Sequence, residues 1–127
     1  SYTTWGRNPD WVKITNTDQP WLPSCGLEGA IHFVIRRPSE LRDAKSLSVV
    51  LYFCELGDVP SPRVFDVGLQ GETVLQDLNV AEAAGGTHNV LAKSFTFPNS
   101  QTINLRLTPS NSIGPPPIIS GMAITSQ

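Results

Sequence analysis

Apolar residues in this sequence recur at every second position, in short runs that each stop at a Pro or Gly, and that period specifies β-strands. With 11 Pro and 10 Gly among 127 residues, breakers come too often for helices of ordinary length. From Ala30 to Arg36, Ile31, Phe33 and Ile35 fall on one face and His32 and Val34 on the other, until Arg37-Pro38 stops the strand. Leu47 to Leu56 is apolar on both faces, which predicts a central strand lying beneath another layer, with Tyr52 in the core. Arg63 to Gln70 places Phe65, Val67 and Leu69 on one face; Gln70-Gly71 supplies a turn, and Glu72 to Gln76 resumes the strand pattern as the second arm of a hairpin.

Asp77 to Gly86 holds the one helix signal. Ala-Glu-Ala-Ala favours helix and Gly85-Gly86 ends it, so at most one short helical turn is expected near residues 79–84. Val90 to Phe97, Thr102 to Thr108 (Ile103, Leu105 and Leu107 inward) and Ile118 to Thr125 complete the run of strands. The first thirty residues are less regular: Val12 to Thr15 reads as a short strand, and the rest, with Trp5, Trp11 and Trp21, as a looping segment. The expected fold is all-β, an antiparallel β-sandwich, with residues 1–127 forming one domain around one core. The start at Ser1, without Met, predicts a mature or excised piece of a larger protein.

The formal net charge is −2, and Lys and Arg are scattered singly, so no basic stripe for nucleic acid or an anionic membrane exists. The longest apolar run, Val49 to Cys54, is far short of the roughly 20 residues of a membrane-spanning helix. Neither partner is expected. Cys25 and Cys54 are too few for a disulfide scaffold and lack the paired spacing of a zinc site; one bridge between them and two free thiols both remain open.

An order of motifs running from Leu47 to Thr125 resembles the malectin and malectin-like family. These motifs are Phe53-Cys54-Glu55 at the end of an apolar strand, RVFDVGLQG at 63–71, VLQDLNV at 74–80, EAAGG at 82–86 and PIISGMAI at 117–124. Pro20 to Gly29 resembles the lead-in to a first core strand in bacterial versions. The resemblance implies a jelly-roll-like sandwich, ligand held by loops at one edge, and non-catalytic recognition of glycans. Two departures bear on specificity. Where animal members carry an aromatic pair after the strand-ending Glu, this chain has Leu56-Gly57-Asp58-Val59, and where they carry an acid before the last strand it has Asn111 to Pro116. Glucose-oligomer specificity therefore does not carry over.

Saccharide binding needs flat aromatic faces for the C–H side of a pyranose and fixed polar groups for its hydroxyls. Trp21, stiffened by Pro20 and Pro23, is the first candidate platform, followed by Trp11 and Trp5. Asp58 and Asn111 occupy the positions nearest the family's binding loops and are the candidate hydroxyl ligands. Asp66 points away from Phe65 and is expected to hold a turn. His32 and His88 have no acid or nucleophile arranged around them, and a glycosidase pair of carboxylates can be drawn from Glu28, Glu55, Asp58 and Asp66 only arbitrarily, so no enzyme is expected. No cofactor and no metal is expected, since no Asp-rich loop for calcium exists. The resulting expectation is a carbohydrate-binding module, secreted or extracytoplasmic, that holds its parent chain and its other domains near a glycan or polysaccharide. The alternative is a structural or protein-interaction sandwich that has lost sugar binding.

Overall fold

A computed structural model of the chain describes residues 2–4 and 11–14 as strand backbone, and residues 31–57, 62–111 and 114–126 with their side chains. Among the described residues nine strands follow in order: β1 (Tyr2–Thr4), β2 (Trp11–Ile14), β3 (Ile31–Arg36), β4 (Ser46–Cys54), β5 (Val64–Leu69), β6 (Glu72–Asn79), β7 (Val90–Pro98), β8 (Thr102–Pro109) and β9 (Gly121–Ser126). A single α-helical turn, α1 (Val80–Ala84), joins β6 to β7. The strands form two antiparallel sheets, β1-β2-β9-β4-β7 and β3-β8-β5-β6. The sandwich expected from period-two patterning is the fold observed.

Register explains the core. Pairing β3 with β8 sets Phe33 opposite Leu105 and Ile35 opposite Ile103, while β4 and β9 set Val49 opposite Ile124 and Leu51 opposite Met122. All eight are buried, because an antiparallel pair directs facing residues to the same side of the sheet. Phe53 and Phe65 join the two sheets, their ring centroids 5.9 Å apart and tilted by 52°. β4 departs from expectation. Leu47, Val49, Leu51 and Phe53 are buried, but Val50, Tyr52 and Cys54 on its other face are only half-buried. The sandwich has two layers, so the second face of even a central strand meets solvent, and Tyr52 lies outside the inter-sheet core.

Local chemistry sets the turns. Gln70 and Gly71 both take positive φ, 55° and 83°, closing the β5–β6 hairpin as the sequence predicts. Helix α1 begins at Asn79, whose side chain accepts from the Glu82 amide, and ends at Gly85 in the left-handed region with φ 82°. At the hairpin end of the sandwich, Asn99 ties the β7–β8 turn to the β3–β4 connection: its Oδ1 accepts from Arg37 at 2.7 Å, and its Nδ2 faces the Leu41, Arg42 and Ala44 carbonyls. The last strand begins at Gly121 rather than Ile118. Pro115, Pro116 and Pro117 have no N–H to offer a ladder, and Ser120, donating to the Tyr52 carbonyl at 2.8 Å, brings the chain alongside β4. The expected strand at Val12 to Thr15 is β2, Trp11–Ile14, and the short β1 paired with it was not signalled by the sequence.

Candidate functional site

Three connections meet at the end of the sandwich opposite the β5–β6 hairpin: β4 to β5, β6 to β7 through α1, and β8 to β9. Alternation carries two charged residues into this end on core-facing rows. Glu55 follows Leu51 and Phe53 on the inward row of β4, and Arg63 precedes Phe65 and Val67 on that of β5. Glu55 is buried, its side chain 7% exposed, and Arg63 is 14% exposed. A carboxylate taken out of water needs a partner, and Arg63 supplies a two-pronged one. Its Nε donates to Glu55 Oε1 at 2.8 Å and its Nη2 to Oε2 at 3.3 Å. The ion pair thus lies one step beyond the Phe53–Phe65 contact.

The same pair gathers the remaining loops. Arg63 Nη1 donates to the Pro116 carbonyl, and the Glu55 carbonyl accepts from the His88 amide at 2.7 Å. Next to it, the Ser110 amide donates to the Val64 carbonyl at 2.9 Å and its hydroxyl to Asp77 Oδ1 at 2.7 Å. Described residues of all three connections are therefore tied to one another. Asp66 makes the expected local hydrogen bond, but to a strand irregularity rather than to a turn: strand β6 shifts register opposite it, Asp77 takes φ 51°, and the Asp66 carboxylate accepts the Asp77 amide at 2.8 Å. A bulge frees a backbone donor, and the Asp satisfies it. Glu55 and Asp66, two of the four acids from which only an arbitrary carboxylate pair could be drawn, thus each hold a structural hydrogen bond.

The outer surface of this end presents Leu56 and Val90, 61% and 66% exposed, together with exposed His88 and Asn111. Asn111 opens the β8–β9 connection, and its carbonyl accepts from the Gly114 amide at 3.2 Å. Asp58, Trp5 and Trp21 lie outside the described residues, as do Cys25 and Glu28. Trp11 stands in β2 opposite Ala123 in the register. Strand β2 ends, and β3 begins, at this same loop end: Val12 pairs with Met122 near the start of β9, and Ile31 with Leu107 near the end of β8. Trp21 lies in sequence between those two strand ends. Cys54 is a free, half-buried thiol. Among the described residues no three His, Cys, Asp or Glu side chains are grouped to hold a metal.

Sequence reasoning missed the Glu55–Arg63 pair as a feature of the site, although alternation carried two residues past Phe53 and back two from Phe65 lands on both.

Residues 44–112 match the family model described as Malectin domain. No curated protein matches the chain. Among solved structures, the ANX2 ectodomain from Arabidopsis thaliana is similar over 89% of this chain and 32% of its own, at 16% identity and a TM-score of 0.60. A beta-glucuronidase of Bacteroides uniformis is similar over 76% of this chain and 10% of its own, at 15% identity and a TM-score of 0.61. A structure of the plant peptide RALF23 in complex with FER and LLG2 contains a chain similar over 80% of this one and 28% of its own, at 19% identity and a TM-score of 0.59. Identities of this size establish shared architecture, and this chain spans less than two thirds of each of those chains.

Proposed function

The chain belongs to the malectin family, and on that premise we propose that it is a non-catalytic carbohydrate-binding module, secreted or extracytoplasmic, that holds a larger protein near a glycan or polysaccharide. The observation that carries the reading is the braced loop end. Weak, multivalent recognition of hydroxyls gains from loops ordered before the ligand arrives, since little ordering entropy is then lost on binding. The Glu55–Arg63–Pro116 and Glu55–His88 bonds support it by tying described residues of the three connections together.

In this reading Trp21, which falls between β2 and β3 in the sequence, is the stacking platform, and Asp58 and Asn111 take hydroxyls. Trp11 and Trp5 are the substitutes should Trp21 serve the core. The test is a glycan array followed by affinity electrophoresis on the positive polysaccharides, with parent and Trp21→Ala run side by side. Retention of the parent, loss in the variant and an unchanged thermal midpoint are expected, because an aromatic platform concentrates affinity in few atoms. No retention on any polysaccharide overturns the reading.

A second reading is favoured by Leu56 and Val90, apolar and exposed where a sugar edge calls for aromatics: a protein-interaction sandwich that has lost saccharide binding. A structural neighbour seen in complex with a peptide is in keeping with it. A polysaccharide-negative array with a positive protein pull-down that Leu56→Asp abolishes is its expected signature.

A further inference from the structure

A groove of about 400 Å³ opens on the flank of the sandwich, beneath α1 and between the outer edges of β6 and β7. It arises because these two strands end their sheets on the same side, and α1, passing from one to the other, contacts both. Its apolar surface comes from Val64, Leu75, Leu78 and Ala83. The volume is within the range of about 300–1,000 Å³ typical of small-ligand sites.

Strand β7 contributes a polar group where none is needed for packing. Leu91, Lys93, Phe95 and Phe97 share the half-buried inward face, and Lys93 reaches the groove from among apolar neighbours. Its ammonium makes no hydrogen bond and no ion pair with any described residue, although Asp77 and Glu82 line the same groove. Asp77 already accepts from Ser110, and Asn79 Oδ1 from the Glu82 amide. The groups left to a ligand are the Lys93 ammonium, the amide of Gln76, the Asn79 Nδ2 and the Glu82 carboxylate. Donors and an acceptor thus surround an aliphatic floor. An anion meets two carboxylates against one ammonium, which opposes it, whereas a hydroxyl both donates and accepts and suits the mixture.

We propose that this flank groove is a second saccharide site, holding one or two residues of a neutral sugar through their hydroxyls on Lys93, Glu82 and Gln76 above the aliphatic floor of Leu75 and Val64, without the aromatic stacking assigned to the loop end. The site rests on the carbohydrate-binding reading for its ligand class but not on the loop end for its geometry.

Amide chemical-shift mapping of the full chain with maltotriose, cellotriose, mannotriose and trigalacturonate tests both sites at once. A neutral trisaccharide is expected to move the amides of Leu75, Gln76, Leu78, Ala83 and Lys93. Lys93→Gln, which keeps a polar group on the β7 edge, is expected to weaken that response about tenfold, the scale of one hydrogen bond to a charged group, with an unchanged thermal midpoint. Glu82→Gln, at an exposed position, serves as the second variant should Lys93→Gln alter folding. Shifts confined to Leu56, His88 and Asn111 overturn the flank site and leave the loop-end reading standing. Shifts confined to the groove support the flank site and remove the loop end. Shifts in the groove from trigalacturonate alone, or from no sugar, overturn the proposal.

Discussion

Replacing Arg63 with Ala removes three donors and leaves Glu55 facing the end of the core. The carboxylate is 7% exposed and both of its oxygens are engaged by Arg63, at 2.8 and 3.3 Å, so water has little access to take the place of the guanidinium. Breaking a buried pair from one side costs about 3–5 kcal/mol, a large share of the roughly 5–15 kcal/mol that holds a domain folded. For a chain of this length the fall in Tm is roughly 10–20 °C. Urea and thermal denaturation of Arg63→Ala, Glu55→Ala and the double variant form the assay. Each single variant is expected to lose several kcal/mol and the double variant to lose much less than their sum, since the second substitution removes the stranded charge. Because the pair is shielded, added salt should change its coupling little. Single variants within about 1 kcal/mol of the parent, the value of an exposed pair, would refute the reasoning and return the loop end to ordinary surface.

Phe65→Ala is expected to cost about 3–5 kcal/mol, because Phe65 is wholly buried against Phe53; an unchanged denaturation midpoint contradicts that packing. Gly71→Val should destabilise by at least about 1–2 kcal/mol through its φ of 83°, even though an added Cβ meets nothing within 4 Å, while Gly71→Asn is tolerated; equal midpoints for Val and Asn rule out backbone strain. Asp66→Ala removes the acceptor of the Asp77 amide and should cost about 1–3 kcal/mol, with hydrogen exchange accelerating at Asp77 and Leu78 first. Exchange that accelerates uniformly instead places the effect in global stability.

Alternation decided the architecture before any contact was known. The inward rows Ile31-Phe33-Ile35, Phe65-Val67-Leu69 and Ile103-Leu105-Leu107 are all buried, because period two leaves only one face available to the other sheet. The hairpin at Gln70-Gly71 and the helical turn ending at Gly85 were equally local, each set by residues in positive φ at the turn itself. Of the motifs that carried the family resemblance, those between Phe53 and Gly86 fall within the matched residues 44–112, whereas Pro117 to Ile124 and Pro20 to Gly29 lie outside them.

What tertiary structure alone decided is everything that depends on which strands become neighbours. Tyr52 and Val50 look as apolar in the sequence as Leu51 and Phe53, and only the two-layer stacking leaves them half-exposed. Glu55 and Arg63 read as two separated polar residues beside loops, and only the closure of β4 over β5 makes them a buried pair to which Pro116, 53 residues from Arg63, is bound. Lys93 reads as one charge in an edge strand until β6, from the other sheet, and α1 enclose a groove with it. Sequence periodicity reports the direction of each side chain relative to its own backbone; the identity of what it meets is a property of sheet order, for which a chain this rich in equivalent short strands carries no local code.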